Sequence, residues 1–149
     1  MKLSEHVSLP EFEHSETATR KGYNNSMNAE QILSAKELCE KIFEPLRKFR
    51  GSAINISSGF RGIQLNKAVS GSSSSQHCKG QAMDIKITAQ EFHVIKDSLD
   101  FDQLIWEFGN DEQPQWVHVS YDRFKTKQRN QVLRAVKVSG KTKYIPFDL

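Results

Sequence analysis

Three side chains with metal-binding chemistry stand out by their spacing. His77 and Asp84 lie seven positions apart in Ser75-Gln76-His77-Cys78-Lys79-Gly80-Gln81-Ala82-Met83-Asp84, and His118 sits in the alternating apolar run Trp116-Val117-His118-Val119-Ser120. Two imidazoles and one carboxylate form the three-ligand set that suits a catalytic zinc with its fourth position open. Seven residues exceed one helical turn, so His77 and Asp84 must converge across a turn that Gly80 permits. Asp84 then begins a strand, Asp84-Ile85-Lys86-Ile87. By spacing alone, the alternative is two loop residues and an ordinary strand histidine. Cys78 follows His77 directly and is the other conceivable ligand, but neighbours in a strand or turn point apart.

The elements that must position these groups can be read from periodicity. Val7 to Phe12 is an extended segment followed by a helical turn at Pro10, and Ser15 to Gly22 is a short helix closed by glycine. His6 and His14 are surface residues on this reading. Asn28 and Gln31 mark a helix start. Ile32, Ala35, Leu38, Cys39, Ile42, Leu46 and Phe49 repeat at helical spacing, with Pro45 kinking or ending the first segment. Ala53 to Ser57 alternates as a strand and delivers Arg61 just beyond its end. Ile63 to Val69 is a short helix, and the serine run from Ser70 to Ser75 is a loop walling a cleft ahead of His77. Thr88 and Glu91 cap a helix through Ser98, with Phe92, Ile95 and Leu99 buried and His93 exposed. Phe101 to Phe108 and Gln115 to Tyr121 form a hairpin, and Val132 to Val138 and Lys143 to Phe147 are two further strands. The pattern predicts an α+β fold, a mainly antiparallel sheet with helices packed on one face, in a single domain over 1–149.

Composition narrows the function classes. With 149 residues, 37% apolar and 26% charged, the chain suits one soluble globular domain. A net charge of +3 is too mild for a nucleic-acid footprint, and the basic cluster Arg123, Lys125, Lys127 and Arg129 lacks an aromatic platform. Two cysteines, one on the apolar side of a helix, point to a reduced compartment. No stretch approaches a membrane span, and Met1-Lys2-Leu3-Ser4-Glu5-His6 lacks the apolar region of a signal peptide. The expectation is a monomer made in the cytoplasm.

The order of segments carries more than the spacing. Ser57-Ser58-Gly59-Phe60-Arg61, Leu65-Asn66, Ser75-x-His77-x-x-Gly80-x-Ala82-x-Asp84 and Trp116-Val117-His118 follow one another in a short chain. This order resembles the zinc D-alanyl-D-alanine carboxypeptidase and endopeptidase family, whose fold is shared with Hedgehog signalling domains. It is most similar to the short forms of phages and bacterial genomes, over about Leu9 to Tyr121. The resemblance implies Zn2+ held by His77, Asp84 and His118, and a peptidoglycan peptide as substrate. It also implies a substrate-binding Arg61 in the S-G-x-R segment and a substrate hydrogen bond from Ser75. The alternative for Arg61 is a structural salt bridge. Without a signal peptide, such a protein is expected to reach the wall after lysis, by export or in a virion.

The general base departs from the family pattern. Related dipeptidases carry Glu three residues before the last zinc histidine, where Gln115 stands, and others carry His five before, where Gln113 stands. Hairpin arithmetic offers Glu107 instead. If Phe108 pairs with Gln115, Glu107 faces Trp116, Ile105 faces His118, and Glu107 becomes a diagonal neighbour of His118. A slip of one residue turns it away. Glu112, at the Hedgehog-like position, is the other candidate. If neither serves, the chain is a zinc-containing wall-binding or virion structural module without turnover.

Overall fold

In the computed structural model, which describes residues 1–148, a six-stranded sheet carries the chain's central chemistry on one face and its hydrophobic core on the other. A small antiparallel pair, β1 (Lys2–Ser4) and β2 (Val7–Ser8), leads into α1 (Leu9–Glu13). Ser8 caps that helix with a capping box, and Pro10 sits in its first turn where its missing N–H costs nothing. The short α2 (Glu16–Lys21) is closed by Gly22 in a left-handed conformation.

The long helical segment is α3 (Ala29–Leu38), capped by Asn28 and Gln31, then a π-helical turn Cys39–Phe43, then α4 (Glu44–Arg50). The expected kink at Pro45 is therefore taken up one turn earlier. Proline has no N–H and its ring crowds the carbonyl four residues back. The wider turn, in which Glu44 N–H reaches Cys39 O, accommodates that without breaking the rod. Ala35, Leu38, Cys39, Ile42 and Leu46 are buried as the periodicity predicts, whereas Phe49 is half exposed on the outer side.

The sheet comprises β3 (Asn55–Ser58), β4 (Ala82–Lys86), β5 (Gln103–Glu107), β6 (Trp116–Ser120), β7 (Gln131–Val138) and β8 (Lys141–Pro146). Its order is β3-β4-β6-β5-β7-β8, antiparallel throughout except for the parallel pair β5–β7. Two helices lie between strands, α5 (Ile63–Ala68) after β3 and α6 (Ala89–Ser98) after β4, the latter capped by Thr88 and Glu91. The α+β architecture with helices on one face is thus as expected.

Side chains alternate across the pleat. Met83, Ile85, Leu104, Trp106, Val117 and Val119 point into a core shared with Leu38, Ile42, Leu46, Phe92 and Ile95. Asp84, Ile105, Glu107 and His118 are the alternate residues and face the opposite way, into a cleft. His93 is half buried, not exposed, because its ring packs edge-on against Phe92 and Phe147.

Candidate metal centre

Strand register assembles the first half of the centre. Asp84 on β4 lies directly opposite His118 on β6, so one row of the sheet delivers a carboxylate and an imidazole side by side. His77 arrives from a different element, the 3-10 turn Gln76–Lys79. Ser75 caps that turn, its Oγ accepting from His77 N–H at 3.2 Å, and Gly80 closes it with φ +73°. A Cβ on Gly80 would lie 2.4 Å from Gln31 O. Gly80→Ala is therefore expected to destabilise the protein by more than about 2 kcal/mol, combining the left-handed penalty with a backbone clash. Denaturant melting checks this, and because the turn carries His77, weaker metal binding should accompany it.

His77 Nδ1 lies 2.7 Å from the Gly59 carbonyl, which can only accept. The proton therefore sits on Nδ1, and Nε2 turns an unshared pair toward the other two ligands. His77 Nε2 is 3.2 Å from His118 Nδ1 and 3.3 Å from Asp84 Oδ1, and His118 Nδ1 is 3.1 Å from Asp84 Oδ1. A tetrahedral site with bonds of ~2.0–2.1 Å has edges of about 3.3–3.4 Å, so this near-equilateral triangle fits one face of it. The donor set fits as well: two nitrogens and one oxygen, all from residues that line the cleft. Burial alone raises the Asp84 carboxyl, but the two imidazoles outweigh it and hold the group far below the usual carboxylate range.

A second group of potential ligands, Glu5, His6 and Glu44, lies on the surface. There Glu44 already accepts from Ser4 Oγ at 2.6 Å, from His6 N–H at 3.0 Å and from His6 Nδ1 at 2.6 Å. It locks β1 to the helical rod and offers little to an ion.

Around the triangle runs a cleft of about 670 Å³. The β5–β6 register is the one the hairpin arithmetic requires, with Glu107 opposite Trp116 and Ile105 opposite His118. Glu107 is only 7% exposed, and among the described residues its carboxylate makes no hydrogen bond. Burial, reinforced by the Asp84 charge, pushes its pKa up to about 7 against the pull of His118 and Arg61. Glu112 is exposed on the turn between β5 and β6 and does not line the cleft. Gln113 turns its amide to the carbonyls of Ile87 and Pro114.

Arg61 lines the same cleft, its backbone N–H held by His77 O at 3.1 Å. Among the described residues its guanidinium has no carboxylate within 4.0 Å, and its buried Nε has no hydrogen-bond partner. A structural salt bridge is thus not what holds it. Ser75 lines the cleft beside it. Cys78 is half buried outside the ligand triangle, and burial raises its thiol pKa.

Several contributors escape sequence reasoning. Buried Asp102 accepts from Lys125 Nζ at 3.0 Å, from Arg129 N–H at 3.0 Å and Nη2 at 2.8 Å, and from Gln76 Nε2 at 3.1 Å. It thereby ties the turn bearing His77 to the segment that leads into β7. Burial raises its pKa, but Arg129 and Lys125 prevail and hold it at about 2. Its stabilising contribution is complete above the ordinary carboxylate range and lost as pH falls through about 2. Asp102→Asn is expected to cost about 3 kcal/mol in a urea melt at neutral pH, because the donors around it lose their charge partner. Tyr144 and Lys137 also line the cleft, from strands β8 and β7.

No individually curated protein matches the chain. The family described as Peptidase M15 matches residues 5–120, which takes in the turn of His77, strands β3 to β6 and all three candidate ligands. On that match over most of its length, the chain belongs to the peptidase M15 family, the zinc D-alanyl-D-alanine carboxypeptidase-like metallopeptidases.

Proposed function

We propose that this metallopeptidase hydrolyses peptide bonds in bacterial peptidoglycan, D-Ala-D-Ala or a similar linkage, with His77, Asp84 and His118 holding zinc. The observation that carries the reading is the ligand triangle of 3.1–3.3 Å in the same cleft as a buried carboxyl poised at about 7. Zinc in such a site supplies a Lewis acid, which lowers the pKa of a water toward ~7 and polarises a substrate carbonyl.

The chain's own groups do the rest. Glu107 accepts the proton of the attacking water and returns it to the leaving amine, for which a carboxylate titrating near neutrality is suited. Arg61, which has no carboxylate within 4.0 Å among the described residues, binds the developing oxyanion or the terminal carboxylate of the substrate, two oxygens at once. Ser75 donates a hydrogen bond to the peptide while its lone pair caps the turn of His77. Gly59 fixes the His77 tautomer. The enzyme acts as a monomer, reaching the wall after lysis, by export or within a virion.

The test is to load the protein with zinc, incubate it with cross-linked peptidoglycan and follow new amino groups. Release that a chelator abolishes and zinc restores supports the reading. Tight, stoichiometric zinc and wall binding without any release would instead make the chain a binding module, the reading that Gln113 and Gln115 at the family's base positions favour.

A further inference from the structure

The hairpin β7–β8 lies outside the family-matched residues 5–120, yet it forms one wall of the cleft. On the row that carries Glu107, Ala135 of β7 and Tyr144 of β8 follow in order. Ala135 is small and fully buried, which leaves room for the Tyr144 ring beyond it. Farther along β7, Lys137 is pinned from two sides. Its Nζ donates to Thr142 Oγ1 at 3.1 Å and lies 5.3 Å from the centre of the Phe108 ring. That ring in turn meets Trp116 edge-on at 5.4 Å. Phe108 holds φ at +55°, a conformation a bulky residue adopts at a cost, and its N–H is fixed by Ala135 O at 3.0 Å. The hairpin and the strained Phe108 thus cooperate to hold one ammonium group at the cleft wall.

The charges of the cleft make that ammonium distinctive. Arg129 is committed to Asp102, so Arg61 and Lys137 are the lining cations without a carboxylate partner among the described residues. They stand on opposite sides of the ligand row, Arg61 beyond β3 and Lys137 on β7. From His118 to Lys137 is two strand steps across and four residues along, about 10 by 13 Å between backbones, and the lysine Nζ is held at Thr142 of β8 rather than drawn back toward the ligand row. An anion on Lys137 therefore sits on the order of 15 Å from the ligands, about four residues of extended peptide, or three when one of them is linked through its longer γ-carboxyl.

From this we infer that the C-terminal hairpin builds an acyl-side subsite in which Lys137 reads a carboxylate about three residues before the scissile bond, with Tyr144 and Phe108 as its apolar wall. The substrate class is an extended acidic peptide spanning the sheet from Arg61 to Lys137. The inference rests on the peptidase reading for the position of the bond. In a wall stem peptide the matching anion is the α-carboxylate left free by γ-linked glutamate.

The probes are L-Ala-γ-D-Glu-L-Lys-D-Ala-D-Ala and its isoglutamine form, in which that carboxylate is an amide. Binding is measured by calorimetry on zinc-loaded Glu107→Gln protein, alone and combined with Lys137→Met or Lys137→Arg. Turnover of both peptides is measured with Glu107 intact. An exposed ion pair is worth up to ~1 kcal/mol, so the acid form should bind about five-fold more tightly than the amide at low salt. Lys137→Met should erase that preference, Lys137→Arg should keep it, and salt should weaken it. In turnover, Lys137→Met should raise KM for the acid peptide without changing kcat. Equal binding of the two peptides, a preference that survives Lys137→Met, or no binding of either overturns the inference. Preferential binding without hydrolysis upholds the subsite and refutes the peptidase reading, so the two fail separately.

Discussion

Glu107→Gln is expected to lower kcat for wall-peptide hydrolysis by about 10²–10⁴-fold, the usual contribution of a positioned acid–base group. Zinc stoichiometry should stay unchanged, because Glu107 is not a member of the ligand triangle. The amide is nearly isosteric and cannot take a proton. The same replacement should stabilise the metal-free protein. Unfolded, the carboxyl titrates near 4.5, whereas in the fold it keeps its proton to about 7. The folded state thus binds more protons between those values, and stability falls as pH rises across that window. Removing the group erases the slope, with a gain of about 3 kcal/mol at pH 8 by denaturant titration. A gain in stability with a loss of turnover is the signature of a residue held against its own preference. Glu112→Gln, at an exposed turn position, should leave the rate within about two-fold. The reverse pattern, with Glu112→Gln inactive and Glu107→Gln normal, would reassign the base.

His118→Ala is expected to weaken zinc affinity by well over about 100-fold, since even partners of the ligands are worth 10–100-fold. Two of the three triangle edges end on its Nδ1, so no facial set survives the truncation. The folded protein loses the linkage energy as well. At a free zinc concentration 100 times the dissociation constant this is about 2.7 kcal/mol, or roughly 10 °C in Tm for a chain of this size. Chelator should lower the wild-type Tm by a similar amount and leave the variant unmoved. Metal analysis of the purified variant decides the matter: full occupancy would mean that the ion sits elsewhere.

The convergence of His77, Asp84 and His118 was legible because each depends on local rules. A glycine after His77 permits the turn, and the period of two in β4 and β6 puts Asp84 and His118 on one face. Glu107 was legible through hairpin register alone. Asp102 was not, since nothing local separates it from the other aspartates and its five donor groups come from Gln76, Lys125 and Arg129. Lys137 and Tyr144 were hidden by the parallel pairing of β7 with β5, a contact with no turn to announce it. The half burial of His93 was missed because Phe147, which covers it, arrives from the end of that same distant hairpin. Helix periodicity placed α3 and α4 but not the π-helical turn joining them, which follows from proline sterics worked out in three dimensions.

The parallel β5–β7 pair also has a consequence for biosynthesis. Strand β5 is translated well before its second neighbour, and until residues 131–138 emerge from the ribosome its backbone is unmatched along one border. That border is short and apolar, Gln103 to Glu107, and open edges of this kind recruit other chains. A nascent chain stalled in the basic stretch between β6 and β7 would therefore be adhesive as well as inert. Rapid passage through Asp122 to Asn130 would shorten the exposure of that unfinished sheet.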